Sequence, residues 1–344
     1  MVQPFYKLAV NELIRETKDA ISIKLEVPAE QEGEFNFKAG QYLTIVKEIA
    51  GKTIRRSYSI SSIPTDNELK ITCKRIEGGI MSNYLYQELA IGEKLDVKPP
   101  QGSFRLRNLD KDLVLFAGGS GITPIISLLR EFLLKSDKQA HLYYGNTSRE
   151  DIIFLNELEA LKKEYSGRFL LQHYLSGDGE RIDKERVKSL VDKTISANSD
   201  YYVCGPNGMM KSVLAGLEES ISNEAGVYTE YFNNPLSDKS AETITKVNMS
   251  SDVNKVIVRL DDQDHQIALE EGESILEGAE RIGIDPPFSC HSGVCTTCKA
   301  KLISGKVRME NNFGLGQDEE DEGFVLTCIG YPEEAGTKID WDQG

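Results

Sequence analysis

The sequence predicts a multidomain chain, in which an antiparallel β-barrel is followed by a parallel α/β domain and then by a small α+β domain. Three observations carry this. Residues 5–108 hold short alternating or apolar runs punctuated by Gly, Pro and Asn, the pattern of a small antiparallel barrel. From about 110 to 235, wholly apolar runs alternate with helical periodicity, as in a buried parallel sheet flanked by helices. From Val253 the pattern is β again, followed by one short helix and closely spaced cysteines. The expected boundaries are 1–108, 109–235 and 253–344, with a polar, aperiodic linker at 236–252.

A chain of 344 residues suits two or three domains of roughly 100–200 residues each. Its net charge of -15 excludes nucleic acid as a partner, because a phosphate backbone demands a basic face. From residue 253 onward there are 8 Lys or Arg against 19 Asp or Glu, so most of the excess lies on the cysteine-bearing module. Such a surface either steers that module onto a basic docking patch or serves solubility. Six cysteines, four of them in a metal-type arrangement, suit a reducing compartment. The start Met1-Val-Gln-Pro-Phe-Tyr is not leader-like and no apolar stretch approaches ~20 residues, so the expectation is a cytoplasmic protein without a membrane partner.

In the barrel segment, Ala20–Val27, Tyr42–Val46 and Leu69–Cys73 read as strands, with Cys73 a core residue. Arg56-Ser57-Tyr58-Ser59 lies among them. Gly78-Gly79-Ile80-Met81-Ser82 then leads into a helix with apolar positions at Leu85 and Leu89. Backbone N–H groups at such a helix start, approached closely over glycine, form an anion site, and an Arg adds a fork of donors. A pyrophosphate fits there. Taken singly, an Arg beside a Tyr is equally the mark of surface pairing on a strand.

Pro99–Phe104 ends the barrel. Leu113–Ala117 is a short apolar strand that runs into Gly118-Gly119-Ser120-Gly121-Ile122-Thr123-Pro124. The helix that follows has Thr123 as expected N-cap and Pro124 as expected first residue. Strand, glycine turn and helix start together cradle a dinucleotide pyrophosphate. Two further strands are expected at His141–Tyr144 and Tyr201–Cys204, with helices around 150–164 and 207–221.

In the last module, Lys255–Leu260 and His265–Leu269 read as a hairpin turning through Asp261–Asp264. A helix from Ser274 to Gly283 follows, with Ile275, Leu276, Ala279 and Ile282 on one face and Gly283 as its stop. Cys290, Cys295 and Cys298, answered by Cys328, have the C-x4-C-x2-C…C spacing of plant-type [2Fe-2S] ligands. Zinc also takes four thiolates, but its modules usually bring two short C-x2-C pairs. A Rieske role for His291 is superfluous once four thiolates are in place.

In this order the motifs resemble the ferredoxin-NADP reductase family extended by a C-terminal plant-type ferredoxin of β-grasp fold. The resemblance implies that Arg56 contacts the flavin phosphates, that Tyr58 packs on the isoalloxazine with Ser59 near its N5, that Gly79 to Ser82, Met81 included, hold the pyrophosphate, and that Ser57 and Gly78 belong to the same flavin-binding set. FAD is the implied flavin, although FMN-using relatives share these features. Gly118, Gly119, Gly121, Thr123 and Pro124 correspond to the nicotinamide-nucleotide turn, and Cys204, Gly205 and Pro206 to the segment beside the nicotinamide. Glu230 and Phe232 match the segment that returns to the flavin edge. Ser148 and Arg149 lie where a 2′-phosphate would favour NADPH, or else form an exposed capping loop.

Electrons are then expected to pass from NADPH through FAD and [2Fe-2S] to an oxygenase, with Ser59, Cys204 and Glu230 nearest the hydride. Whole-chain phrasing, including Arg55–Ser59 and Gly323–Cys328, is most similar to the subfamily of phenylacetyl-CoA epoxidase reductases, which implies a multisubunit diiron acceptor. Reductases for ketosteroid or aromatic-ring hydroxylases and for the hybrid-cluster protein share the modules. A non-catalytic redox sensor is the remaining alternative, and it has no use for the turn at Gly118–Pro124.

Overall fold

The computed structural model describes residues 5–196, 198–221, 225–232, 253–270, 272–284, 286–288, 293, 296–310, 312 and 314–344. The expected linker at 236–252 lies outside them. There are two compact units, Phe5–Phe232 and the described residues from 253 to Gly344.

The first unit opens with β1 (Tyr6–Thr17), β2 (Ala20–Glu26), β3 (Tyr42–Ile49), β4 (Lys52–Ser59), β5 (Leu69–Lys74), α1 (Ile80–Gln87) and β6 (Lys94–Val97). The strands pair antiparallel in the order β4-β3-β6-β1-β2-β5. The two outer strands meet where Ile60 bridges Ile71 and Ser61 N–H donates to Lys70 O at 2.8 Å, which closes the sheet into a barrel. Leu8, Ile23, Leu43, Ile45, Ile71 and Leu95 fill it.

The chain continues through β7 (Asp112–Gly118), α2 (Ile122–Lys135), β8 (Ala140–Asn146), α3 (Leu155–Glu164), β9 (Phe169–Leu175), α4 (Lys184–Thr194), β10 (Ser199–Cys204), α5 (Asn207–Glu218) and β11 (Val227–Glu230). All five strands are parallel, in the order β11-β10-β7-β8-β9. The strand order reverses between β7 and β10, and the crevice at such a reversal is where ligands bind. Three elements here were not expected from sequence, β9, α4 and β11, and β9 makes Tyr201–Cys204 the fourth strand of this sheet in chain order rather than the third.

A second correction concerns α2. A turn of 3₁₀ helix over Gly119–Gly121 runs directly into it, and Gly121 rather than Thr123 is the N-cap. Thr123 and Pro124 become its second and third residues. Proline is tolerated there because the first turn's N–H groups lack helical acceptors. Ile122, Ile125, Ile126, Leu128, Leu129 and Phe132 of α2 are fully buried, each contributing about 2 kcal/mol of apolar transfer. Phe104, Ala39 and Ile63 join that same core from the barrel side. Arg130 of α2 grips Asp66 with two hydrogen bonds of 2.7 Å, and Gly40 N–H donates to Ser127 Oγ at 3.0 Å. Barrel and α/β layer are thereby packed as one body.

The second unit comprises β12 (Lys255–Leu260), β13 (Gln263–Ala268), α6 (Ile275–Arg281), β14 (Lys299–Ser304), β15 (Val307–Met309), α7 (Gln317–Asp321), β16 (Phe324–Leu326), β17 (Gly330–Pro332) and β18 (Lys338–Asp340). Its main sheet has the order β13-β12-β18-β14-β16, with β12 and β18 parallel and the other pairs antiparallel. α6 buries Ile275, Leu276 and Ala279, and Ser274 caps it by accepting from Glu277 N–H at 3.2 Å. Ile282, expected on the same face, is 45% exposed, because the helix ends one residue earlier, ahead of Gly283 at φ +85°. The hairpin turns on Asp261 and Asp262 alone, at φ +52° and +60°, so Gln263 and Asp264 lie in β13.

Candidate functional site

On β4 side chains alternate across the strand. Arg56 is exposed and donates from Nη1 to Arg55 O at 2.6 Å. Ser57 faces the other way, where its hydroxyl meets Thr44 Oγ1 at 3.0 Å. Tyr58 packs on the barrel core, and the closure register sets it opposite Cys73. Cys73 Sγ donates to the Lys74 carbonyl at 3.7 Å. Burial holds the Tyr58 proton well above its ordinary range and pushes the Cys73 thiol up to about 12, so both stay protonated. Ser59, at the strand's end, is buried.

α1 packs on β4 and β5. Its first helical hydrogen bond runs from Asn83 N–H to Gly79 O, so the N–H groups of Ile80, Met81 and Ser82 have no acceptor within the helix. Gly78 takes φ +73°, and a β-carbon on Gly79 would lie 2.5 Å from Ser82 Oγ. Ser82 Oγ accepts from Ile76 N–H at 3.2 Å and so holds the turn. An N-terminal cradle closed to side chains, on a helix packed against the strand that carries an exposed guanidinium, fits a dinucleotide pyrophosphate.

At the strand-order reversal, β7 and β10 end side by side, with Ala117 in register with Cys204. A β-carbon on Gly118 would lie 2.6 Å from Pro206 Cδ, and one on Gly205 would lie 3.0 Å from Gly118 N. Gly119 takes φ +51°, and its carbonyl accepts from the Tyr144 hydroxyl at 2.9 Å. The three glycines press two turns together at the mouth of the crevice, the form a nucleotide's phosphates need for close backbone approach.

Cys204 is fully buried and pairs in register with Glu230 on β11. Burial first, then the Glu230 charge, raise its thiol well above the usual range, so it is a neutral group. Phe232 stands 38% exposed. Ser148 Oγ donates to Asp151 Oδ2 at 2.9 Å, Lys18 pairs with Asp151 at 3.0 Å, and Arg149 is exposed.

In the second unit Cys298 and Cys328 sit where β14 and β16 meet, both buried and neither in a disulfide. Phe288, Leu315, Leu326 and Ile329 surround them. Gly293, at φ +71°, directs its N–H at Cys328 Sγ, 3.3 Å away. A backbone N–H aimed at sulfur fits a metal-bound thiolate. Cys290 and Cys295 lie outside the described residues. Sequence reasoning missed the pairing of Tyr58 with Cys73, because only barrel closure brings them together.

Comparison with known proteins assigns residues 7–106 to the oxidoreductase FAD-binding domain, 115–214 to the oxidoreductase NAD-binding domain and 258–333 to the 2Fe-2S iron-sulfur cluster binding domain. The chain is 34% identical to a subunit of the 1,2-phenylacetyl-CoA epoxidase of Escherichia coli K12, with 98% of each chain covered. It is 32% identical to the ferredoxin reductase component of 3-ketosteroid-9-alpha-monooxygenase of Rhodococcus rhodochrous, covering 97% of this chain and 96% of the relative. Among solved structures it is similar to phthalate dioxygenase reductase, at a TM-score of 0.62 and 25% identity with 98% of each chain covered. The chain therefore belongs to the NAD(P)H-dependent electron-transfer reductases of monooxygenase systems, built from ferredoxin-NADP-reductase-type FAD and nucleotide domains and a C-terminal [2Fe-2S] ferredoxin domain.

Proposed function

We propose that this reductase takes electrons from NADPH and delivers them to the oxygenase of a phenylacetyl-CoA epoxidase, in phenylacetate catabolism. The observation that carries the acceptor is end-to-end similarity to a subunit of the E. coli epoxidase. When bound, FAD would supply the conversion between a two-electron hydride donor and a one-electron [2Fe-2S] acceptor.

The chain's own residues position these groups. Arg56 and the N–H groups of Ile80, Met81 and Ser82, in the cradle that Gly78 and Gly79 open, hold the flavin pyrophosphate, while Tyr58 and Ser59 face the isoalloxazine. The turn from Gly118 to Pro124, with Gly205 and Pro206, seats the nucleotide. Cys204, backed by Glu230, limits the approach of the nicotinamide without exchanging a proton. Ser148 and Arg149 meet the 2′-phosphate, with the Asp151 carboxylate beside them offset by Lys18. Cys290, Cys295, Cys298 and Cys328 ligate the cluster, and the acidic surface of that module docks the oxygenase. Metal thiolates and free buried cysteines suit the reducing cytoplasm.

A second reading, service to a ketosteroid monooxygenase, is favoured by nearly equal identity over nearly the whole chain. Mixing the protein, NADPH and oxygen with the purified oxygenase of either system separates the two. Reductase-dependent epoxidation of phenylacetyl-CoA supports the proposal. Brisk reduction of an artificial acceptor with no epoxide, alongside steroid hydroxylation, transfers it to the second reading.

A further inference from the structure

The chain has one tryptophan, Trp341, and it is 3% exposed in the core of the second unit. Its indole Nε1–H donates to Thr327 Oγ1 at 3.3 Å. Thr327 is itself fully buried and donates from Oγ1 to the Cys298 carbonyl at 3.0 Å, while its backbone N–H reaches the same carbonyl at 3.2 Å. The direction is forced: an indole only donates, a carbonyl only accepts, and a hydroxyl has a single proton to pass on. The chain of hydrogen bonds therefore runs one way, from Trp341 through Thr327 to Cys298, and Thr327 is covalently joined to Cys328.

The donor end is itself anchored. Asp342 accepts from the N–H groups of both turn residues, Asp261 and Asp262, at 2.8 Å each, and Asp340 accepts from Asp342 N–H at 2.9 Å. Trp341 thus stands between two pinned neighbours, held against rotation away from Thr327.

We propose that Trp341 is a positioning residue of the iron-sulfur centre, acting through the Thr327 hydroxyl to fix Cys298 and Cys328 relative to each other. This rests on the reading of both cysteines as cluster ligands. Each hydrogen bond polarises the next, so loss of the indole N–H weakens the hold of Thr327 on the Cys298 carbonyl. A less compensated carbonyl leaves more negative potential beside the centre. The reduction potential falls, and the centre is released more readily.

The test uses the full-length, cluster-loaded protein and the variants Trp341→Phe, Thr327→Val and Thr327→Ser. Iron and sulfide content and the reduced-state EPR spectrum of the unaltered protein, with Cys298→Ala as reference, check the ligand reading independently. If Cys298→Ala keeps a normal centre, that reading fails, whatever Trp341 does. Given a normal centre in the unaltered protein and its loss in Cys298→Ala, the midpoint potential and the rate of bleaching by a chelator decide the proposal. Trp341→Phe and Thr327→Val should each lower the potential and speed bleaching about fivefold. Combining them should add little, and Thr327→Ser should match the unaltered protein. A Trp341→Phe potential and bleaching rate equal to the unaltered values, or additive effects in the double variant, would overturn it. If Trp341→Phe does not fold, the Val and Ser pair still decides: equal behaviour of the two refutes the relay.

Discussion

Gly121 lies so close beneath Cys204 that a β-carbon on it would stand 2.2 Å from the Cys204 carbonyl oxygen and 2.7 Å from Gly205 N. The obstacle is backbone on both counts, so no rotamer change relieves it. The nucleotide turn and the end of β10 are consequently one rigid piece, with the Cys204 side chain buried in the core behind it.

Gly121→Ala should therefore displace the turn while leaving the barrel alone. Overpacking of this kind costs about 1–3 kcal/mol, which corresponds to a fall of roughly 10- to 100-fold in kcat/KM for NADPH. Flavin content should be unchanged. Stopped-flow reduction of the flavin by NADPH reads the first quantity and the absorbance ratio of flavin to protein the second.

Arg56→Ala removes an exposed guanidinium that carries no packing, so the variant should fold normally. Hydrogen bonds to charged groups contribute about 1.5–3 kcal/mol, so flavin affinity should drop roughly 10- to 100-fold. Fluorescence titration of the deflavinated protein with FAD measures this, and unchanged affinity would remove Arg56 from the site.

Cys298→Ser should separate the two redox centres. Flavin reduction by NADPH should continue at its usual rate, while iron content and electron delivery to an iron-sulfur-dependent acceptor are lost. Parallel loss of flavin reduction in a folded variant would contradict the independence of the two units.

Burial pushes the Cys73 thiol from 9.0 up to about 12. Above pH 9 the unfolded chain releases this proton while the folded chain keeps it, so the unfolded state binds fewer protons and stability falls as pH rises through this window. Below pH 9 the effect is absent. Cys73→Ala should be less stable by about 1 kcal/mol at pH 7, yet lose less of its Tm between pH 9 and 11. Parallel Tm curves for the two proteins would show that Cys73 does not titrate this way.

The parts legible in sequence are those where chemistry demands a residue type at a fixed spacing. Thiolate ligands and close phosphate approach do so, which is why the cysteine run and the glycine turn could be read directly. Packing has no such spelling. β9 escaped notice because it is an outer strand in which Leu170 is exposed and His173 half-buried beside apolar neighbours. α4 is mostly charged, with Val187 turned to the core. Thr123 and Pro124 carry valid helix-start signals, but the close approach of Gly121 to β10 moves the start earlier. The link from Trp341 to Thr327 joins residues on different elements, so no periodicity reports it.

Anaerobic titration with NADPH, followed by absorbance and EPR, tests the central claim most directly. A flavin that takes two electrons and a [2Fe-2S] cluster that takes one should together consume about 1.5 equivalents of NADPH per chain, with a reduced-cluster EPR signal growing in. Uptake that stops at about one equivalent with no EPR signal would contradict the account, because the cluster would then not lie on the path from the nucleotide.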